Sequence, residues 1–537
     1  MHDDGFGTGS LHYWAEKDDP INYRRIVSKY LNDYIGNSAR NPGNTKSYAS
    51  YDVARVVFEM KKHCFACASW KDKLWYEFRN NRWIHTDSGM SLRKAISNQV
   101  VNEYNDAAWK LQKSSVQIGG ENPLKEQYMT KAKKLTDIAF KLRTTNFKDQ
   151  VMKEAAEIFH KEGFFDKLDS NPNLLGFENG VYDLEKMQFR PGRSEDYISF
   201  STKINYVKFN PKDPIFDEIM EFISQILPNK VVREYVLTLL SSTLSGHTGD
   251  EKFHIWTGSG GNGKSKIIEL FELGLGDYTC KLPITVLTRK RAASNAPQPE
   301  LARTKGKRFA CLQEPEDDEK INVGLMKELT GGDKIIARGL NKDPIEFKPQ
   351  FKLLLTCNAL PRIPSNDGGT WRRLRVVEFV SEFVEEPKEP HQFKINHELN
   401  QKFPGWVEPF IWLLLNKYYK TYKLGNKELG IKPGLHDPPQ VTRCTKNYRM
   451  FNDIYAEFID ENIEENAQSS LKIDEVFAVF KMWHKDTYGD MKCPTKRELK
   501  AYMEKKFGKY TSKGKNKGWR GIRFIPMDDS SDEEFGI

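Results

Sequence analysis

Cysteine is scarce in this 537-residue sequence, and long apolar runs are missing. The seven cysteines are scattered and odd in number, which argues against the disulfide framework of a secreted protein. The longest apolar runs, such as Phe410 to Leu415, are far shorter than the roughly 20 residues that span a bilayer. The N-terminus, MHDDGFGTGS, has neither a basic start nor an apolar segment of signal length. We therefore expect an intracellular protein in a reducing compartment, with no membrane partner.

Metal-binding patterns are also few. Cys64 and Cys67 form one CxxC pair beside His63, and no second pair of ligands follows at a spacing suited to zinc. Buried structural thiols are the favoured interpretation. No internal repeat of 20 to 50 residues is visible.

The length exceeds what one hydrophobic core supports, so three or four domains are expected. The net charge is +9, although the last ten residues, DDSSDEEFGI, contain five acids and no base. The rest of the chain is therefore more basic still. Such an excess suits a polyanionic partner such as nucleic acid, and a solvated surface is the alternative.

Changes in composition divide the chain into five regions. Residues 1–45 are polar, with one or two helices and a linker; 46–210 mix helical and strand patterns; 211–435 have the pattern of an α/β domain; 436–527 are mainly helical; 528–537 are an acidic tail. Within the second region, the sequence pattern predicts a hairpin over residues 74–86 and a small β element over residues 177–192. It also predicts helices over residues 91–165, on either side of a loop at 113–126. Helices are expected again between 216 and 245.

The segment GSGGNGKS fits the phosphate-binding pattern G-x-x-x-x-G-K-[ST]. An apolar strand, 253–256, precedes it, and the helix-prone SKIIELFEL follows. Backbone amides of the loop and the start of the helix suit a β-phosphate, whereas Lys264 suits the β/γ-phosphates and Ser265 suits Mg²⁺. The predicted ligands are therefore ATP and Mg²⁺. The residues assigned to the nucleotide are Gly258, Gly260, Gly261, Asn262, Gly263, Lys264 and Ser265.

Two later apolar strands end in polar residues. RFACLQEPE, 308–316, places Glu314 where a P-loop protein needs a carboxylate for Mg²⁺ or for the attacking water, and Glu316 is a weaker candidate. FKLLLTCNALP, 351–361, ends near Asn358, which would position the attacking water. A polar strand end at a turn is an equally good interpretation of Asn358 alone.

Between these strands, 329–351 predict a hairpin with Lys342 at its tip and Arg338, Lys334 and Lys348 around it. Such a basic finger suits a phosphate backbone. Beyond it, the WRRLR segment contains Arg372, Arg373 and Arg375. An arginine that reaches a neighbouring subunit's γ-phosphate would stabilise the transition state, and a basic surface cluster is the alternative.

The segment 509–524 contains six bases and no acid, among them Lys515, Lys517 and Arg520. A winged helix with a basic wing that guides duplex DNA fits this pattern. A solvated hairpin is the alternative interpretation.

The order GSGGNGKS, LQEPE, TGGD hairpin, LTCN and WRRLR resembles that of superfamily 3 helicases, and most closely the poxvirus-type primase-helicases of large DNA viruses. The resemblance extends over about 490 residues, from GSLHYWAEKDDPINYRRI through FENGVYDL to PPQVTRCTKNYRMFNDIYAEFI. It implies an α/β multidomain protein with an AAA+ ATPase core, an α+β N-terminal collar domain and a C-terminal winged-helix-like domain. Residues 1–45 would then be the remnant of a primase-associated region.

The resemblance also implies roles. Lys264 and Ser265 would belong to the Walker A motif. Glu314 would be the Walker B carboxylate that binds the metal, and Asn358 would be the sensor 1 residue. Lys342, with Arg338 and Lys348, would touch DNA in the channel of a hexameric ring, and Arg372 or Arg373 would be the arginine finger. The implied activity is ATP-driven unwinding, 3′ to 5′ along single-stranded DNA, at a viral replication site in the host cytoplasm or nucleus.

The implied partners are single-stranded and fork DNA, further copies of the chain, a primase and a polymerase. In many relatives a primase domain lies upstream, and the first 50 residues contain no three-acid primase site, so we expect no primer synthesis by this chain. Two alternatives remain open. One is a replication-initiation or loading module that hydrolyses ATP without unwinding, and the other is a small-molecule P-loop kinase.

Overall fold

A computed structural model describes residues 7–40, 49–118, 122–289, 296–313, 320–363, 365, 367–489, 493–511 and 518–526. The predictions for Glu314, Glu316, Lys515, Lys517 and the acidic tail lie outside the described residues. Within these ranges, no helix is both long and apolar enough to cross a membrane. The same ranges contain no group of three or more His, Cys, Asp or Glu side chains arranged to hold a metal ion.

The N-terminal unit packs helices around a three-stranded antiparallel sheet of order β1-β2-β3. Its elements are α1 (Thr8–Asp18), α2 (Pro20–Ser38), α3 (Ser50–Lys61), β1 (Phe65–Ser69), β2 (Leu74–Arg79), β3 (Arg82–Asp87), α4 (Met90–Ala95), a π-helical turn (Ile96–Val100), α5 (Val101–Gln117), α6 (Pro123–Lys141), α7 (Thr145–Ile158) and α8 (Phe164–Lys167). The predicted hairpin is confirmed: Asn80 and Asn81 both have positive φ, the geometry of a two-residue turn between twisted strands. The predicted loop at 113–126 is wrong at both ends, because α5 continues to Gln117 and α6 begins at Pro123.

The core of this unit includes side chains from both sides of the predicted boundary at residue 46. Leu31 and Ile35 of α2 are buried with Val53, Val57 and other residues of α3, α5, α6 and α7. The packing therefore joins α2 to the region that follows it.

The CxxC pair lies in the same unit. Cys67 is buried and Cys64 is half-buried, and burial raises the pKa of the Cys67 thiol to about 11. These surroundings are those of protonated structural thiols, as the sequence predicts.

A second antiparallel sheet, of order β4-β5-β6, joins the N-terminal unit to the central domain. Its strands are β4 (Leu174–Phe177), β5 (Gly180–Asp183) and β6 (Gln188–Arg190), followed by a 3₁₀ turn (Ser194–Asp196). The buried Arg308 fastens this sheet to the central domain, since its Nη2 donates to the carbonyl oxygen of Asn171 at 2.8 Å and its Nη1 donates to Oε1 of Gln350.

The central domain is built on a five-stranded parallel sheet of order β13-β7-β12-β9-β8. Its elements are α9 (Pro214–Ile226), α10 (Lys230–Ser242), β7 (Phe253–Thr257), α11 (Lys264–Leu275), a 3₁₀ turn (Gly276–Tyr278), β8 (Thr279–Leu282), α12 (Thr285–Thr288), α13 (Pro299–Ala302), β9 (Phe309–Leu312), α14 (Val323–Thr330), β10 (Ile335–Arg338), β11 (Pro344–Phe347), β12 (Lys352–Thr356), α15 (Gly368–Trp371), β13 (Leu374–Glu378), β14 (Glu382–Val384), β15 (Gln392–Lys394), α16 (Leu399–Leu413), a π-helical turn (Leu414–Tyr419) and α17 (Lys420–Leu424).

Side chains alternate between the two faces of this sheet, and both faces are covered. Trp256 and Leu354 join the core formed with α9, α10, α11 and α16, whereas Ile255 and Leu355 join the core on the opposite face with α12 and α14. Burial on both faces explains why these strands are continuous apolar runs in the sequence.

The C-terminal unit starts with α18 (Pro439–Phe451), which packs against the edge strand β13. It continues with α19 (Ile454–Asn462), β16 (Ile463–Leu471), α20 (Ile473–Tyr488), α21 (Lys496–Phe507) and β17 (Trp519–Phe524) around a core of its own. The sequence predicts a mainly helical region here, and its helical pattern does not indicate β16, which is a strand paired antiparallel with β17. A winged helix in particular stays a prediction.

Candidate nucleotide site and basic hairpin

The phosphate-binding segment leaves the carboxyl end of β7, next to β12 on one side and β13 on the other. Gly258, Gly261 and Gly263 have φ values of 146°, 72° and 81°, which side chains with a Cβ rarely adopt. A Cβ on Gly258 would lie 2.4 Å from the carbonyl oxygen of Phe379. The glycines therefore allow a tight turn that side chains would fill, and the turn leads directly into α11.

Lys264, at the first position of α11, is buried and folds over the loop, where its Nζ donates to the carbonyl oxygen of Gly258 at 2.8 Å. Ser265 follows and is exposed. Asn262 is buried, and its side-chain amide donates to the carbonyl oxygen of Ser259. An ammonium group, a hydroxyl group and the first amides of a helix thus meet at one edge, a donor set suited to phosphate with Mg²⁺.

Asn358 lies at the same edge, two residues after β12. Its carbonyl oxygen accepts from Oγ1 of Thr257 at 3.0 Å, which ties the end of β12 to the residue just before the phosphate loop. Strand β9, which leads toward Glu314, ends at this edge too, because Leu312 pairs with Leu355 of β12. Ligands of parallel sheets bind outside the carboxyl ends of the strands.

A pocket of about 390 Å³ adjoins the loop. Its apolar walls include Phe222, Ile226, Phe383 and Trp406, from α9, β14 and α16. Amide side chains at the pocket belong to Gln225 and Asn396. Its remaining lining residues include Gly261, Gly263, Lys266, Lys402 and Leu399. Flat apolar walls together with amide and charged side chains, which include Glu218 and Glu221, suit an aromatic ring with hydrogen-bonding edges.

Arg372 and Arg373 lie at the opposite end of the sheet. The carbonyl oxygen of Arg373 accepts from the amide of Phe253, the first residue of β7, at 2.7 Å. At roughly 3.3 Å per residue, the five residues of β7 separate these arginines from the loop by ~16 Å. Neither arginine reaches the phosphate loop of its own chain.

The two arginines differ in exposure. The side chain of Arg372 is 64% exposed, whereas that of Arg373 is 11% exposed. The Nε of Arg375 forms an ion pair with Oδ2 of Asp437 at 2.5 Å.

The predicted basic hairpin is confirmed as an antiparallel pair, with Ile335 opposite Phe347 and Arg338 opposite Pro344. Lys342 lies at its exposed tip. The Nε of Arg338 donates to the carbonyl oxygen of Lys342 at 2.9 Å, so this side chain braces the turn. Lys348 is exposed at the base of the hairpin, and Lys334 pairs with Glu346 at 3.0 Å.

Arg520 is exposed on β17, the strand that follows the predicted wing. It is the one assigned wing residue that falls within the described ranges. Its contact with DNA stays a prediction.

Sequence reasoning missed the pocket. Phe222, Phe383 and Trp406 come from three distant segments, and none of them belongs to a local pattern. Glu251, which binds both Arg372 and Arg373, was missed for the same reason.

Comparison with known proteins gives two family matches. The family described as "D5 N terminal like" matches residues 54–228. A family of unknown function, DUF5906, matches residues 256–373, from β7 through the two arginines.

Curated viral proteins match most of the chain. "Putative helicase L207/L206" of Acanthamoeba polyphaga mimivirus is 38% identical over 95% of this chain and 52% of its own length. "Putative helicase 022R" of Frog virus 3 is 26% identical over 96% of this chain and 61% of its own length. "Putative primase C962R" of African swine fever virus (isolate Pig/Kenya/KEN-50/1950) is 25% identical, over 88% and 51%. The chain thus spans about half to three-fifths of the length of these relatives.

Among solved structures, the apo C-terminal region of NrS-1 matches with a TM-score of 0.35 and 14% identity, over 54% of this chain and 61% of that one. The fold and the loop at β7 define an α/β multidomain protein with a parallel sheet and a phosphate-binding motif. The family and viral matches support assignment of the chain to the D5-type primase-helicases of large DNA viruses, with the "D5 N terminal like" family over 54–228.

Proposed function

We propose that the chain is the ATP-dependent DNA helicase part of a viral replication protein and acts as a homohexameric ring. The observation behind this proposal is the position of two site components at opposite ends of one sheet. The phosphate loop follows the carboxyl end of β7, and the arginine pair lies beside the first residue of the same strand. A nucleotide site that needs both components requires two copies of the chain, arranged head to tail.

In this proposal the loop of one copy holds ATP. Lys264 binds the β- and γ-phosphates, and Ser265 ligates Mg²⁺ together with Glu314. Asn358 orients the attacking water at the same edge of the sheet. The pocket beside the loop takes the adenine base, with Phe383 and Trp406 as its apolar walls.

The neighbouring copy supplies the arginine finger. Exposure favours Arg372, because its side chain projects into solvent, whereas Arg373 is packed inside and bonded to the carbonyl oxygen of Gly369 at 3.0 Å. A guanidinium at the γ-phosphate neutralises charge in the transition state and contributes roughly 10³ to 10⁵ in rate.

The β10–β11 hairpin is the DNA-binding element of the proposed ring. Its exposed tip lysine, Lys342, and the exposed Lys348 would contact phosphates of single-stranded DNA, so binding would be tolerant of sequence and sensitive to salt. By resemblance to superfamily 3 helicases, movement would be 3′ to 5′ on the strand in the channel. Fork DNA, a primase and a polymerase would be its partners at the viral replication site in the host.

Unwinding of a fluorescently labelled fork with ATP and Mg²⁺ tests this proposal. Lys342→Ala should abolish unwinding while ATP affinity stays within about twofold, and the matched variant Lys342→Arg, which keeps the positive charge, should retain most of the activity. Unwinding by Lys342→Ala at the wild-type rate would contradict the role of the hairpin. DNA-stimulated ATPase activity without any unwinding by the wild type would instead indicate an initiation or loading module.

A further inference from the structure

One carboxylate connects the two arginines of the WRR segment. Glu251 lies two residues before β7, and its Oε2 accepts from Nη2 of Arg373 at 2.7 Å and from Nη2 of Arg372 at 3.1 Å. The two guanidinium groups therefore converge on a single oxygen. Neither family match nor the sequence pattern assigns a role to Glu251.

The contact with Arg373 fixes the carboxylate. Arg373 is largely buried, and it is held at a second point by the carbonyl oxygen of Gly369. This part-buried hydrogen bond is charge-assisted and short, at 2.7 Å, so it favours one orientation of the Glu251 carboxylate.

The backbone around the carboxylate is also held in place. Glu251 has a φ of 49°, a left-handed conformation that residues other than glycine adopt only where the surroundings impose it. The next residue, Lys252, donates from its Nζ to the carbonyl oxygen of Arg372 at 2.8 Å. The main chain and the side chain of Arg372 are thus tied to two consecutive residues.

The contact with Arg372 itself is weak. The guanidinium is mostly exposed, and exposed ion pairs stabilise a given geometry only slightly. A phosphate that offers several charged oxygens competes effectively for such a group. The pair can therefore hold Arg372 in one orientation and still release it.

We propose that Glu251 is a positioning residue for the arginine finger: it holds Arg372 extended at the surface, ready to reach the γ-phosphate bound by the neighbouring copy. This inference rests on the proposed function, since it needs a site completed by a second chain. The buried Arg373 anchors the carboxylate, and Arg372 leaves it for the phosphate during turnover. The arrangement reduces the orientational freedom that the finger must lose in the transition state.

Glu251→Gln tests this role, because glutamine keeps an acceptor for Arg373 and removes the charge. ATP turnover should fall roughly three- to fivefold, the size expected for one exposed ion pair. The dissociation constant for ATP should not change, because Glu251 precedes β7 and the length of that strand, ~16 Å, lies between it and the loop of its own chain. Asp437→Asn, which removes the charge beside Arg375, another arginine of the WRRLR segment, is the matched control and should leave turnover near the wild-type value.

A mixing experiment separates positioning from a structural effect. Lys264→Ala subunits should hydrolyse no ATP, but they keep Glu251 and Arg372 for the site of a neighbouring subunit. Two series are compared at equal mixing ratios: Glu251→Gln with Lys264→Ala, and wild type with Lys264→Ala. The ratio of ATP turnover in the first series to that in the second should approach one as the Lys264→Ala fraction rises. A relative turnover that stays constant at every ratio, or Glu251→Gln turnover equal to that of wild type, would overturn the positioning role.

Arg372→Ala distinguishes failure of this inference from failure of the proposed function. The expected loss of turnover is at least about 10³-fold with ATP binding intact. If the ATP turnover of Arg372→Ala is reduced less than tenfold, the assignment of Arg372 as the arginine finger and the role of Glu251 are both wrong. If Arg372→Ala is inactive and Glu251→Gln is fully active, only the role of Glu251 falls.

Discussion

Substituting Gly258 with alanine should sharply weaken ATP binding. Its φ of 146° belongs to a region that only glycine adopts readily, and a residue forced into such a region costs roughly 1 to 3 kcal/mol. The added Cβ would also lie 2.4 Å from the carbonyl oxygen of Phe379 and 2.6 Å from the Nδ2 of Asn262. Phe379 cannot withdraw easily, because its amide donates to the carbonyl oxygen of Thr257 at 2.8 Å.

We therefore expect Gly258→Ala to cost about 2 to 3 kcal/mol, which raises the dissociation constant for ATP roughly 30- to 150-fold. Titration with a fluorescent ATP analogue and Mg²⁺ measures it. Gly260→Ala is the matched control, since no heavy atom lies within 4 Å of the Cβ position and its φ is outside the left-handed range. Gly260→Ala should bind within about threefold of wild type. Equal affinities for Gly258→Ala and wild type would refute the reasoning from the loop geometry.

Three further predictions concern the same domain. Lys352→Met should lower the free energy of unfolding, measured by urea denaturation, by about 3 kcal/mol, because it leaves the carboxylate of Asp250, 2.5 Å from the buried ammonium group of Lys352, without its ion-pair partner. Adding Asp250→Asn should recover part of this loss, and no recovery would contradict the proposed cause. Burial lowers the pKa of His254 from 6.5 to about 3, so the unfolded chain binds the proton first and stability falls as the pH drops through this range. Between pH 7 and pH 5, the free energy of unfolding of wild type should fall by about 2 kcal/mol more than that of His254→Gln. Parallel pH profiles of stability for the two proteins would contradict this role of His254. Phe383→Ala should weaken ATP binding roughly tenfold and leave inorganic tripolyphosphate binding unchanged, whereas equal weakening of both would place the base elsewhere.

Features that depend on local sequence could be predicted well. The phosphate loop, the Asn80-Asn81 hairpin and the β10–β11 hairpin each depend on turn residues at fixed spacing. The strands of the central sheet are apolar on both faces, and this made them recognisable as well.

Features that depend on tertiary packing could not be predicted. Strand β16 has a mostly polar centre, EENAQSS, and its conformation depends on pairing with β17 about 50 residues later. The last residues of α5 are mostly polar and exposed, apart from the buried Ser115 and the apolar Val116, so they look like a loop in sequence. Arg372 and Arg373 are adjacent and chemically identical, and only their burial distinguishes them.

The central claim is that the nucleotide site is completed by a second copy of the chain. Electron microscopy of the purified protein with a non-hydrolysable ATP analogue, with and without single-stranded DNA, tests it most directly. The account predicts closed six-membered rings in which Arg372 of one protomer faces the nucleotide held by Lys264 of its partner, with the Lys342 hairpins in the channel. A monomer under every condition, or a ring in which Arg372 points away from the neighbouring nucleotide, would contradict it.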